Sequence, residues 1–128
     1  MLRLSRSLAL LALVMMAVPV WAADATGTWK GDVKLPNGQL VPFVAHLKQQ
    51  KSVITGTLDG INGAPDVEVM DGKIAHDVIT FWGVRKINGA DVKFNYSGKL
   101  AGDSLDIKIA RDDGSGPPLE TLTKRVTG

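Results

Sequence analysis

From Thr26 onward, apolar and polar residues alternate with a period of two, and the alternation is broken by Gly, Asn and Asp. In a strand, successive side chains point to opposite faces, so this period is that of half-buried β-structure. No stretch of ten or more residues carries apolar positions at the helical spacing of 3.6, and no helix is expected beyond the N-terminal segment. The breaks fall at Pro36-Asn37-Gly38, Gln50-Lys51-Ser52, Asp59-Gly60 to Pro65, His76-Asp77, Asn88-Gly89, Gly102-Asp103 and Asp112 to Pro118. Asn-Gly pairs supply the positive φ values that two-residue hairpin turns require. The intervals predict eight strands, near 26–34, 39–49, 53–59, 66–75, 78–87, 91–100, 103–111 and 119–126.

Short connections between successive strands imply antiparallel hairpins in series. Eight such strands remove their exposed edges by closing into an up-and-down barrel, and a two-sheet sandwich is the alternative. An internal repeat supports the meander. Gly72-Lys73-Ile74-Ala75-His76-Asp77 matches Gly98-Lys99-Leu100-Ala101-Gly102-Asp103, which sets His76 against Gly102 at the tip of a turn.

The alternation also predicts the core. Trp29, Val33, Val41, Phe43, Ala45, Leu47, Ile54, Leu58, Ile79, Phe81, Val92, Phe94, Tyr96, Leu105, Ile107, Ile109 and Leu122 fall on one face. The other face carries Lys30, Asp32, His46, Lys48, Thr57, Thr80, Lys93, Asn95, Asp106 and Lys108. Charged residues outside and apolar residues inside describe a barrel in water; outer-membrane barrels alternate the opposite way.

Residues 1–22 read as a signal peptide. Arg3 and Arg6 precede an apolar run from Leu8 to Val18, Pro19 ends the run, and Val20-Trp21-Ala22 resembles a cleavage site. The run is shorter than the ~20 residues a spanning helix needs. Residues 23–128 then form one β-domain. The whole chain has 15 Lys+Arg and 13 Asp+Glu; losing Arg3 and Arg6 leaves the domain neutral. A neutral domain with interspersed signs offers no electrostatic footprint for nucleic acid or for an anionic membrane. The chain contains no cysteine, which excludes disulfides, thiolate catalysis and cysteine-ligated zinc.

Catalytic and metal-binding constellations are not legible. His46 falls on an outward strand position and His76 in a turn, where its neighbour Asp77 would point elsewhere. Asp59, Asp71, Asp77, Asp103, Asp112 and Asp113 all adjoin Gly or a break, as turn-forming Asp residues do. The expectation is therefore no catalytic residue, no metal and no cofactor. Trp82 is the exception to an otherwise ordinary surface: alternation turns it outward beside Gly83, where an indole can stack on a sugar or dock a partner. Tyr96 supplies the single inward polar group, its hydroxyl.

Gly27-Thr28-Trp29 opens the first strand and Arg125 lies in the last. A Gly-x-Trp near the start with an Arg near the end resembles the signature of the calycin superfamily, which includes lipocalins, fatty-acid-binding proteins and avidins. The resemblance implies a barrel in which Trp29 sits at the closed end with Arg125 packed across it as a structural cation–π pair. The Gly-Thr-Trp-Lys-Gly start, the Ile-Thr-Gly-Thr-Leu third strand and the repeated Gly-Lys units also resemble a group of small bacterial secreted domains. Departures limit what carries over. Beyond Trp29 only Trp82 is available to surround a biotin-like ligand, no His follows His76 to ligate haem, and Arg85 and Arg111 stand at strand ends rather than mid-strand as carboxylate anchors.

The resulting expectation is an exported, non-catalytic binding module, periplasmic or secreted, that recognises a small apolar ligand, a glycan or a secreted protein. A small secreted hydrolase or isomerase, and an inhibitory or structural partner of another secreted protein, are the alternatives.

Overall fold

A computed structural model describes residues 24–126. The expected signal peptide at 1–22 lies outside the described residues. The described chain is all-β. Its strands are β1 (Gly27–Lys34), β2 (Leu40–Gln50), β3 (Val53–Leu58), β4 (Val67–Glu68), β5 (Met70–Ala75), β6 (Val78–Ile87), β7 (Ala90–Ala101), β8 (Ser104–Arg111) and β9 (Leu119–Val126).

Every pairing between them is antiparallel, and the sheet closes. β1 pairs with β2 along its whole length and with β9 through Thr28↔Val126, Trp29↔Arg125 and Lys30↔Lys124. β2 continues to β3, β3 to β4 and β5, and β5 through β6, β7 and β8 back to β9. β4 and β5 follow one another along the same neighbour, β3, so nine segments make an eight-stranded up-and-down barrel. The continuous ring excludes the sandwich.

The single strand expected over 66–75 is interrupted between Met70 and Lys73 by a register shift against β6. Asp71 takes a positive φ of 50° there. A bulge adds one unpaired residue and so exchanges faces. Val67 and Val69 point inward before it and Ile74 after it. A Cβ on Gly72 would stand 2.2 Å from the Ile54 carbonyl oxygen, so the bulge closes only with glycine at this position.

The interior is filled with side chains. Trp29, Phe43, Ile54, Leu58, Ile79, Phe81, Tyr96, Leu105 and Ile107 are among the buried residues that form one cluster. Phe81 stacks on Tyr96 at 4.7 Å between ring centroids. Val41, Val92 and Phe94, expected inside, are only half-buried, because they stand at the open end of the barrel.

One expected core residue is on the wrong side. Leu122 is 57% exposed, while Thr121 and Thr123 are buried. The cause is register. Thr123 lies opposite Leu105 and Thr121 opposite Ile107, and residues directly opposed in an antiparallel pair share a face. Thr is a good strand former whose methyl packs like that of Val. The Thr123 hydroxyl is satisfied internally, donating to the Leu105 carbonyl at 2.7 Å.

Candidate functional site

Three regions carry chemistry: the closed end, the open end, and a groove on the outer wall.

At the closed end, Trp29 is fully buried and its indole Nε1 donates to the Ala25 carbonyl at 2.9 Å. The Arg125 guanidinium lies 4.5 Å from the Trp29 ring centroid. Its Nε donates to the Asp103 carboxylate at 2.8 Å, and its remaining nitrogens donate to the carbonyls of Thr26, Asp24 and Gly102. Both arms of the guanidinium are therefore engaged in closing the barrel around the incoming chain. Asp24 is held below the ordinary carboxylate range by the Thr26 backbone N–H and hydroxyl, with a smaller contribution from Arg125. The Trp29 indole and the Arg125 guanidinium are thus committed to protein acceptors at this end.

The open end is built differently. Apolar side chains from β1, β2, β7, β8 and β9 converge with Ile61, from the loop between β3 and β4, around a cup of about 140 Å3. Arg85 and Tyr96 line it. Counting along β6 explains the arginine: Phe81 and Gly83 are buried, so Arg85 has the same inward parity. The guanidinium stands beside the Tyr96 hydroxyl. Burial pushes the Tyr96 hydroxyl above its ordinary value, and Arg85 works against that shift. The phenol is thus neutral at physiological pH and keeps its proton to donate. No carboxylate lies within 4.0 Å of Arg85 among the described residues. A second hollow of about 420 Å3, between the Ile61 loop and the β6–β7 hairpin, shares Leu35, Val41, Ile61 and Arg85 with the cup. Tyr96 is accordingly joined by a cation that the count of inward polar groups omitted. The parity of Phe81, Gly83 and Arg85 was the signal.

On the outer wall, Trp82 is half-buried. Its Nε1 donates to the Asp71 carboxylate at 2.8 Å, and the Lys93 ammonium lies 4.4 Å from its ring centroid. The bulge turns Asp71 to the outer wall, where it fixes the indole. A groove of about 510 Å3 runs beside Trp82 across β5, β6, β7 and β8.

The two histidines lie apart. His76 sits in the β5–β6 turn with φ 61°, the same value as Gly102 in the equivalent turn of the repeat. His46 stands on the outer wall between two hydrogen-bonding neighbours. Its Nδ1 lies 3.2 Å from the Thr28 hydroxyl and its Nε2 2.8 Å from the Asp59 carboxylate. The order hydroxyl–imidazole–carboxylate has the connectivity of a nucleophile and its base. Both His46 and Asp59 are nearly half exposed on the outer wall. The arrangement is that of a hydrogen-bonded surface cluster. No group of three or more metal-capable side chains is found among the described residues.

No protein-family model, curated protein or solved structure matches this chain.

Proposed function

We propose that the protein is an exported, non-catalytic binding module whose open end takes a small ligand with an apolar body and an anionic head. The observation that carries this reading is Arg85, a half-buried cation without a carboxylate within 4.0 Å among the described residues, set among apolar walls with the Tyr96 hydroxyl. A cation in such surroundings favours a counter-charge, because removing charge from water is costly unless it is paired. An anionic head group would receive a planar pair of donors from Arg85 and one from Tyr96, while its body meets Phe43, Phe94 and Leu119. Mouths of β-barrels are preferred ligand sites, and a few convergent polar groups in an apolar setting commonly fix a ligand's orientation. The resemblance of Gly27-Thr28-Trp29 and Arg125 to calycins fits the same reading, since those barrels admit ligands at the end away from the Trp. Export rests on the signal-like segment at 1–22.

A thermal-shift comparison of short-chain fatty carboxylates with the alcohols of equal length tests the proposal. At a hundredfold excess over Kd, binding adds about 2.7 kcal/mol, and a domain of this size gains roughly 4–8 °C per kcal/mol. The carboxylates should raise Tm and the alcohols should do so far less. In Arg85→Met the distinction should vanish. Equal shifts for both series, or shifts that survive Arg85→Met, would contradict the proposal.

A further inference from the structure

The open end has two compartments, and the boundary between them is fixed by local backbone chemistry. The inner cup of about 140 Å3 and the outer hollow of about 420 Å3 share Leu35, Val41, Ile61 and Arg85. Leu35 and Val41 belong to the β1–β2 hairpin and Arg85 to β6, whereas Ile61 comes from the loop between β3 and β4. That loop is preformed. Asn62 and Gly63 take φ values of 53° and 82°, and the Ala64 N–H donates to the Ile61 carbonyl at 3.1 Å. Two central residues at positive φ, closed by that hydrogen bond, make a type I′ turn, which Asn-Gly favours. The neck of the loop is tied as well. The Gly60 N–H donates to the Asp66 carboxylate at 2.9 Å, and a Cβ on Gly60 would stand 1.9 Å from the Ala64 carbonyl oxygen. Turn and neck together hold Ile61 as a partition between the two compartments.

The cup is small, and packed side chains close it from below. Phe43, Tyr96 and Ile109 line it and are buried, and Phe81 stacks on Tyr96 at 4.7 Å between ring centroids. An occupant is therefore stopped at this depth. A space of about 150 Å3 lined by aliphatic and phenyl side chains accepts one benzene ring. The cup is of that size, and three of its walls are themselves rings: Phe43, Phe94 and Tyr96. Aromatic pairs attract beyond the area they bury. A ring also enters with fewer rotors to freeze than an alkyl chain of equal volume.

Charge confines the head group to the boundary. Arg85 and Tyr96 are the polar side chains that line the cup. The outer hollow sets Arg85 and Lys86 against Asp66 and Asp91. Asp91 pairs with Lys86 at 2.9 Å, Asp66 accepts the Gly60 N–H, and neither acid lies within 4.0 Å of Arg85. The outer hollow is thus balanced in formal charge, and a second anionic group placed there would face two carboxylates. We propose that the open end selects a single carboxylate borne on a single aromatic ring, and that Ile61 sets this limit. The inference rests on the anion-binding reading of Arg85 and adds to it the size and shape of the ligand's body. The ring fills the cup against Phe43 and Phe94, and its carboxylate meets Arg85 and Tyr96. A fused second ring or a longer alkyl chain overfills the cup and collides with Ile61.

The test is amide chemical-shift titration of the purified protein with benzoate, octanoate, 2-naphthoate and benzyl alcohol. Benzoate should bind saturably and shift Phe94, Tyr96 and Leu119. Octanoate and 2-naphthoate should bind at least about tenfold more weakly, the discrimination an apolar pocket makes against an oversized group. Benzyl alcohol, which has the ring without the charge, should bind more weakly than benzoate in the unmodified protein and no more weakly in Arg85→Met. Ile61→Ala joins the two compartments and should bring octanoate and 2-naphthoate level with benzoate or beyond it. The ranking in the unmodified protein stands as a test even if Ile61→Ala folds poorly. The two ways of failing are distinct. If none of the acids binds, or if their binding survives Arg85→Met, the anion-binding reading falls and the size limit falls with it. If the acids bind through Arg85 but octanoate or 2-naphthoate equals benzoate in the unmodified protein, the size limit alone is overturned. The same holds if a folded Ile61→Ala keeps the original ranking, or if benzoate shifts Ala64, Val84 and Ile87 in place of the cup residues.

Discussion

Arg125 joins the last strand to the first and to the β7–β8 turn with one side chain. It covers Trp29, donates to carbonyls of Asp24, Thr26 and Gly102, and pairs with Asp103. Its side chain is only 22% exposed, so these bonds are poorly replaced by water. Arg125→Met keeps the stem and removes the donors. It should cost about 2–4 kcal/mol, from the cation–π contact and the carbonyls left without a partner. Arg125→Lys should recover only part of that, since an ammonium cannot reproduce the planar fork. Urea unfolding of the three proteins checks both expectations, and equal stability of all three would contradict them. Glu120 works in the opposite direction. A hydrogen bond with Asp106, then the Asp106 charge, raises the Glu120 carboxyl above its ordinary value. Between the ordinary and the raised value the folded state thus holds a proton the unfolded chain has released, and the pair weakens the fold as pH rises through that window. Glu120→Gln should therefore stabilise the protein at neutral pH, with the gain shrinking as pH falls to about 4. A gain equal at both pH values would show that the two carboxyls do not interact.

At the scale of elements, β9 and the β4–β5 bulge show where period-two reading succeeds and where it slips. Leu122 looks like the core residue of β9 because it is the large apolar one. Yet the parity that brings Arg125 over Trp29 also brings Thr123 and Thr121 inside, and it turns Leu122 out. Residue type misled where register was already implied. Leu122→Lys should accordingly change stability by no more than about 0.5 kcal/mol, whereas Leu105→Ala, in the buried position opposite Thr123, should cost about 2–5 kcal/mol. The bulge was legible too, in the change of apolar parity from Val67 and Val69 to Ile74, but a single run over 66–75 smooths it away. What no pattern of polarity could supply is the consequence: Asp71 re-aimed onto the Trp82 indole, which needs the register against β6. Gly72→Ala places a Cβ against the Ile54 carbonyl. It should lower Tm and change Trp82 emission together, because the bulge and the Asp71 bond move as one. A change in Tm with Trp82 emission untouched would separate them.

For the molecule as a whole, hairpin punctuation sufficed to foresee eight strands, since each break is local chemistry. Closure depends on the pairing of β1 with β9, residues about a hundred positions apart, and what pointed to it was the barrel's economy of edges together with the resemblance that sets Arg125 across Trp29. The closed ring makes the two ends unequal. Arg125 and Trp29 seal one, while Arg85 and Tyr96 stand in the apolar cup at the other. Arg85 was overlooked as a residue at a strand end, although strand ends are the rim of a barrel and its inward positions there face whatever enters. If the segment at 1–22 directs export, mass analysis of protein from the exported fraction should find a chain beginning near Ala23, and an intact Met1 would contradict it. The most direct test of the account is amide chemical-shift mapping of the protein titrated with a short-chain fatty carboxylate. The account predicts saturable shifts confined to the open end, at Leu35, Ile61, Arg85, Phe94, Tyr96 and Leu119, that disappear in Arg85→Met. Shifts centred on Trp29 and Arg125, or none at any concentration, would contradict it.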